Sequence, residues 1–109
     1  MPAKENMERI EKLKAFLVQN PSDSFVHHAL ALEYVKLNKE AEAKAQFEEL
    51  LARDESYVGS YYHLAKLLER LGEKEKAIAV YEKGMQVAKT KNDNHAYNEL
   101  QAAYEDLIY

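Results

Sequence analysis

Residues 27–47 read HHALALEYVKLNKEAEAKAQF, and residues 61–81 read YYHLAKLLERLGEKEKAIAVY. Laid over each other at an offset of 34, they pair His27 with Tyr61, Leu30 with Leu64, Ala31 with Ala65, Tyr34 with Leu68, Ala43 with Ala77 and Phe47 with Tyr81. Each pair keeps its size: ring for ring, large aliphatic or ring, alanine for alanine. Within each copy the steps follow one face of a helix, pause, and follow one face of a second helix. Antiparallel helices approach closely only where a side chain is nearly absent, and Ala31 with Ala43, then Ala65 with Ala77, leave that room. Leu30, Tyr34 and Phe47, with Leu64, Leu68 and Tyr81, fill the volume beside them. A plain helical bundle also carries Leu, Ala and Tyr at helical spacing. It does not return six matched positions at one offset.

A helix–turn–helix repeat of about 34 residues with this spacing resembles the tetratricopeptide repeat. The resemblance covers residues 24–89, with departures in residue type. The family's Trp is His27 and then Tyr61, its small Gly is Ala31 and Ala65, and its terminal Pro is Glu55 and Lys89. It implies an all-α fold, a right-handed α–α superhelix of about six antiparallel helices, in which stacking covers each repeat's remaining apolar stripe. Residues 1–109 are then expected to form one domain. A half-repeat helix takes residues 5–21, the repeats take 24–57 and 58–91, and a capping helix takes 92–109.

Local signals place the elements. The first helix is expected from about Glu5 to Gln19, with Ile10, Leu13, Phe16 and Leu17 inward, and Asn20-Pro21 ends it. Leu13 lies 34 before Phe47 and Pro21 lies 34 before Glu55, so this helix corresponds to the second helix of a repeat. Ser22, Asp23 and Ser24 offer caps to the next helix, which ends near Leu37 with Asn38 in a left-handed turn. The third begins near Glu40, sends Ala43, Phe47, Leu50 and Leu51 inward, and leaves Glu42, Lys44, Glu48 and Glu49 to solvent. The fourth is expected from Tyr57 to Leu71, capped by Asp54 or Ser56 and closed by Gly72. The fifth runs from Glu73 or Lys74 to about Thr90. Gly84 inside it costs about 1 kcal/mol relative to alanine, which points to a close helix contact there. Asp93 or Asn94 caps the last helix, whose inner row is Ala96, Leu100, Ala103 and Leu107.

Composition narrows the function. Hydrophobic residues make up 47% and charged residues 31%, as in soluble globular chains. There is no cysteine, hence no disulfide, thiolate metal site or redox thiol. No apolar run is long enough to span a membrane. Met1-Pro2-Ala3-Lys4-Glu5-Asn6 leads into a charged amphipathic segment rather than a signal core, so a cytoplasmic protein is expected. The net charge of −4 comes from the last four acids, Asp93, Glu99, Glu105 and Asp106, because no Lys or Arg follows Lys91. A balanced body with an acidic final helix lacks the basic stripe of a nucleic-acid binder. Neither nucleic acid nor membrane is expected as a partner.

Chemistry is not apparent either. Gly59, Gly72 and Gly84 are isolated, so no phosphate loop exists. His27 and His28 point about 100° apart on a helix and cannot chelate together. His28 with His63 would be a two-ligand metal site without a nearby acid, which is weak. No nucleophile with an adjacent base stands out, so no enzyme, cofactor or metal is expected.

Two function classes remain: an adaptor that holds a partner's peptide segment in its concave face, and an assembly module that pairs with itself. The adaptor is favoured, because repeat arrays typically bind through that face. The chain itself is expected to be a monomer or a weak homodimer. On the first helix of repeat one, the side away from the core carries His28, Leu32, Val35 and Lys36. The matching row in repeat two holds Tyr62, His63, Lys66, Glu69 and Arg70, and Tyr97, Gln101 and Glu105 of the last helix would extend it. Leu32, Val35 and Tyr62 would hold one or two apolar anchors, with Lys66 and Arg70 meeting acidic residues. Some members of the family carry a carboxylate clamp of Lys, Asn and Arg. The matching places here are His28, Leu32, His63, Asp93 and Tyr97, which disfavours recognition of a terminal carboxylate.

Overall fold

Helices form where the periodic faces lie. The computed structural model describes residues 2–109, with Met1 outside the described residues. Among these, six α-helices and no strands occur: α1 (Pro2–Gln19), α2 (Ser24–Lys36), α3 (Glu40–Arg53), α4 (Gly59–Arg70), α5 (Lys74–Thr90) and α6 (Asn94–Ile108). They gather into two compact units, residues 1–54 and 55–109. No helix among the described residues is long and apolar enough to cross a membrane.

In the first unit α2 packs between α1 and α3. Its core is Leu30, Ala31, Ala43, Phe47 and Leu50, with Ala31, Ala43, Phe47 and Leu50 wholly buried. In the second unit α5 packs between α4 and α6, and α6 also touches α4. There Leu64, Ala65, Ala77 and Tyr81 occupy the matching core positions, joined by Leu67, Leu68, Leu100 and Ala103.

The turns repeat as closely as the cores. Asn38 and Gly72, 34 apart, both have positive φ, 57° and 76°. The Asn38 N–H bonds Val35 O at 3.0 Å and the Lys39 N–H bonds Tyr34 O at 2.9 Å. Gly72 and Glu73 do the same to Glu69 O and Leu68 O, at 3.0 and 2.9 Å. Both turns are therefore the glycine-type helix stop, with asparagine tolerating the left-handed conformation in the first. Asn92, at φ 56°, makes a third such turn before α6. Asp23 caps α2 by accepting from the Val26 N–H, and Asp93 caps α6 by accepting from the Ala96 N–H, both at 3.0 Å.

His27 and Tyr61 also do the same work. The buried His27 donates from Nε2 to Pro21 O at 2.8 Å, and Tyr61 donates from its hydroxyl to Glu55 O at 2.7 Å. Each side chain satisfies the carbonyl six residues before it, at the entry to its hairpin. Histidine adds one contact that tyrosine cannot: Nδ1 accepts from Gln46 Nε2 of α3 at 2.5 Å. His27→Phe is expected to cost about 1 kcal/mol, because the Pro21 carbonyl, still reached by Arg53, and the half-buried Gln46 amide each lose a hydrogen bond. His27→Tyr should cost less, since a hydroxyl can still reach residue 21. Equal losses of urea midpoint in the two variants would show that the carbonyl bond contributes nothing.

Several expectations need correction. α1 begins at Pro2 rather than near Glu5, and α4 spans Gly59–Arg70 rather than Tyr57–Leu71. Neither Asp54 nor Ser56 caps α4: its N-cap is Val58, without a side-chain bond, while Asp54 accepts from Ser24 Oγ at 2.6 Å. Phe16, expected inward, is 46% exposed, whereas Ile10 of the same helix is buried and Leu13 and Leu17 are half-buried. Lys44, expected in solvent, is half-buried, as are Tyr34, Leu37 and Leu51 of the expected core. Gly84 behaves as expected: it is buried where α5 meets Tyr61 of α4 and Leu100 of α6.

Candidate functional site

Most of the expected residues lie on the first helix of each hairpin, α2 in one unit and α4 in the other. On α2, Leu32 and Val35 are half-buried and Lys36 is exposed. Lys36 Nζ lies 3.6 Å from Glu33 Oε2, and Arg9 Nε of α1 lies 2.5 Å from Glu33 Oε1. Glu33 is itself buried, with its side chain only 4% exposed, so two exposed cations flank one covered carboxylate. Sequence periodicity does not reveal this triad, since it depends on α1 lying against α2. His28 is half-buried, and its ring meets Phe47 of α3 edge-on at 5.9 Å. It sits against the hairpin core as well as on the expected row.

One exposed aromatic lies in line with these residues without being among those expected. Phe25, in the first turn of α2, is 70% exposed. It stands three residues before His28 and seven before Leu32, the spacing of one helix face. That spacing is the signal that could have found it.

On α4, Tyr62, His63 and Lys66 form one cluster. The Tyr62 and His63 rings meet edge-on at 5.6 Å, and Lys66 Nζ lies 5.9 Å from the Tyr62 ring centre. The same ammonium is 3.7 Å from Glu69 Oε2. Glu69 in turn accepts a hydrogen bond from the Tyr81 hydroxyl of α5, and burial first, then this carboxylate, pushes the Tyr81 phenol well above its ordinary range. Burial lowers the His63 imidazole below its ordinary value, opposed by the Glu99 carboxylate of α6. The folded chain thus favours a neutral His63. Its small contribution to stability falls as pH drops through the ordinary histidine value near 6.5.

The remaining expected residues are less concentrated. Arg70 is exposed at the end of α4, and Gln101 is half-buried on α6. Tyr97, also half-buried, lines a recess of about 380 Å³ with Lys89, Asn92 and Asn94 at the α5–α6 turn. A second recess of about 260 Å³ lies between Glu55, Ser56 and the Lys83–Lys91 side of α5. None of the expected residues lines it. Its charged walls are already engaged: Lys83 Nζ is 3.5 Å from Glu55 Oε2, and Lys91 donates to Ser56 O at 2.9 Å.

The family model for the tetratricopeptide repeat matches residues 26–57 and again 58–91. The chain is similar to a tetratricopeptide repeat domain protein of Salinibacter ruber, at 42% identity over 81% of this chain and 89% of that one, with a TM-score of 0.78. The fold is also that of the TPR2B domain of yeast Sti1, at 17% identity, covering 96% of this chain and 89% of that one, TM-score 0.83. The translocator chaperone SycD of Yersinia enterocolitica has it too, at 14% identity over 97% and 74% of the two chains, TM-score 0.84. The fold class is accordingly the all-α superhelix of these proteins, and this fold serves as a protein–protein interaction module. Two tandem matches over most of the chain, together with a relative sharing 42% of its residues, mean that it belongs to the tetratricopeptide repeat family.

Proposed function

We propose that the chain is an adaptor that binds a short peptide segment of a partner protein on the faces carried by α2 and α4. The observation that supports this most is the Tyr62–His63–Lys66 cluster, a half-exposed aromatic pair with an ammonium at its edge. Such a pair offers an apolar surface and a charge side by side, which suits an apolar anchor followed by an acidic residue. Leu32, Val35 and the exposed Phe25 of α2 supply further apolar contact, and Arg70 adds charge at the end of α4. The Sti1 structure, whose fold the chain shares, is a complex with a segment of Hsp70. A terminal-carboxylate mode of recognition is not proposed here, because Asp93 stands at one of the matching places and is committed to capping α6.

The test is a peptide-display screen of the parent and of a Leu32→Ala/Tyr62→Ala variant whose circular dichroism and melting match the parent. Loss of most captured sequences in the variant, with apolar and acidic residues common to those lost, is the expected result. Equal capture by both proteins would sink the reading. Removing one well-packed aromatic anchor typically weakens binding by about 2 kcal/mol or more, roughly thirtyfold, which a titration resolves readily.

A further inference from the structure

Two rows of exposed side chains, one on α1 and one on α6, have the same spacing and opposite charge. The α1 row is Glu5, Arg9, Lys12, Phe16 and Gln19, all exposed. The α6 row is His95, Glu99, Ala102 and Asp106, with Tyr109 just past the helix end, again all exposed. Successive steps of four, three, four and three residues keep each row on one helix face.

The repeat register identifies what the α1 row is. Arg9, Lys12 and Phe16 stand 34 residues before Ala43, Gln46 and Leu50. On α3 that face receives α2: Gln46 bonds His27, and Ala43 and Leu50 are wholly buried. On α1 the same face is a seat for a helix, yet Phe16 is 46% exposed and the Arg9 side chain 62%. Arg9 replaces the alanine that lets α2 approach α3, so a helix in this seat is held at a greater distance and through charge.

The charge of the seat selects its occupant. Arg9 and Lys12 are joined by Lys36, whose side chain is 63% exposed, while the Glu33 carboxylate between Arg9 and Lys36 is covered. Glu5 and Glu8 are also exposed on this side of α1, so the cations are gathered at the middle of the row, at Arg9 and Lys12 with Lys36 beside them. The α6 row carries Glu99 and Asp106, has Glu105 beside it, and no Lys or Arg follows Lys91 to offset them. Laid antiparallel, as the two helices of a hairpin lie, the rows set Arg9 against Asp106 and bring Lys12 between Asp106 and Glu99. Phe16 then covers Ala102 and the Glu99 stem, and the Tyr109 hydroxyl reaches Glu5.

We propose that α6 of one copy docks on the α1 row of a second copy, so that the chain associates head to tail through a weak ionic contact. The contact is heterologous: each copy offers one row of each kind, so association either closes into a ring or continues as an open chain. It is also screened by salt, since both rows are exposed. The proposal does not rest on the peptide-binding reading: neither row includes a residue expected on that face, and only Lys36, beside the α1 row, and Glu105, beside the α6 row, are common to both.

The experiment is sedimentation velocity of the 109-residue chain from dilute to near-millimolar concentration, at low and high salt. At low salt the mean mass should rise with concentration, and at high salt it should return to that of one chain. Lys12→Glu and Glu99→Lys should each weaken association by about tenfold, given the modest worth of exposed pairs. Their equimolar mixture should regain it, because the altered seat of one matches the altered α6 of the other. Arg9 is left in place so that Glu33 keeps its partner. A parent that remains a single chain at every concentration overturns the proposal. So does association that survives both variants, or a mixture no different from its parts.

Discussion

Gly84→Ala is expected to lower the melting temperature, although alanine is the better helix former. A Cβ at this position would lie 2.7 Å from Tyr61 Cβ, 3.0 Å from Tyr61 Cγ and 3.1 Å from Leu100 Cδ1. Tyr61 Cβ is tied directly to the backbone of α4, so α4 or α5 must shift as a whole. Over-packing of this kind costs about 1–3 kcal/mol. Against it stands a gain of about 1 kcal/mol from removing a helical glycine. The net loss should be up to about 2 kcal/mol, because the clash is with an atom tied to the backbone, and each kcal/mol corresponds to about 4–8 °C in a domain of this size. Ala79→Gly, at an exposed site on the same helix, measures the propensity separately. If Gly84→Ala raises the melting temperature by as much as Ala79→Gly lowers it, the close approach of α4 and α5 is refuted.

Ala65→Leu should destabilise at least as much. Ala65 has no exposed surface on α4, and leucine adds three carbons with nowhere to go. The loss expected is about 1–3 kcal/mol, toward the upper end because the site is already sealed. Ala79→Leu on α5 is the control: the side chain is exposed, and surface changes of this type stay within about 0.5 kcal/mol. Lys44 would be a poor control, since it is half-buried. Equal melting shifts for Ala65→Leu and Ala79→Leu would mean that the face assigned to Ala65 is wrong. Ala65 and Gly84 both sit in the second unit, so their double variant need not show additive losses.

What could be read directly was whatever short-range physics decides. The apolar period marks the inner face of each helix, and burial follows it at Leu30, Ala31, Ala43 and Phe47 and again 34 residues on. Asn38 and Gly72 stop their helices because few other residues accept positive φ, and Asp23 and Asp93 cap because their carboxylates reach an N–H three residues ahead. The rows expected on α2 and on α4 rest on the same period, and Phe25 falls in line with His28 and Leu32 by spacing alone.

The remainder needed distant parts of the chain to meet. Glu33 reads as a solvent acid on α2 until Arg9 of α1 comes to lie over it, and no local pattern records that. Phe16 has the spacing of a core residue, but a side chain is buried only where another part of the chain arrives, which happens at Ile10 and not at Phe16. Asp54 is a plausible cap for the following helix, yet Ser24, 30 residues earlier, takes its carboxylate. On α4, sequence supplies Tyr62, Lys66 and Glu69 as neighbours one turn apart. Only the packing of α5 brings Tyr81 to Glu69, so that one carboxylate holds the Tyr81 hydroxyl and stands beside the ammonium at the candidate site. Helix faces and turns are decided by neighbours in sequence. Which charges are covered, and which apolar rings are left outside, is decided by where whole helices lie.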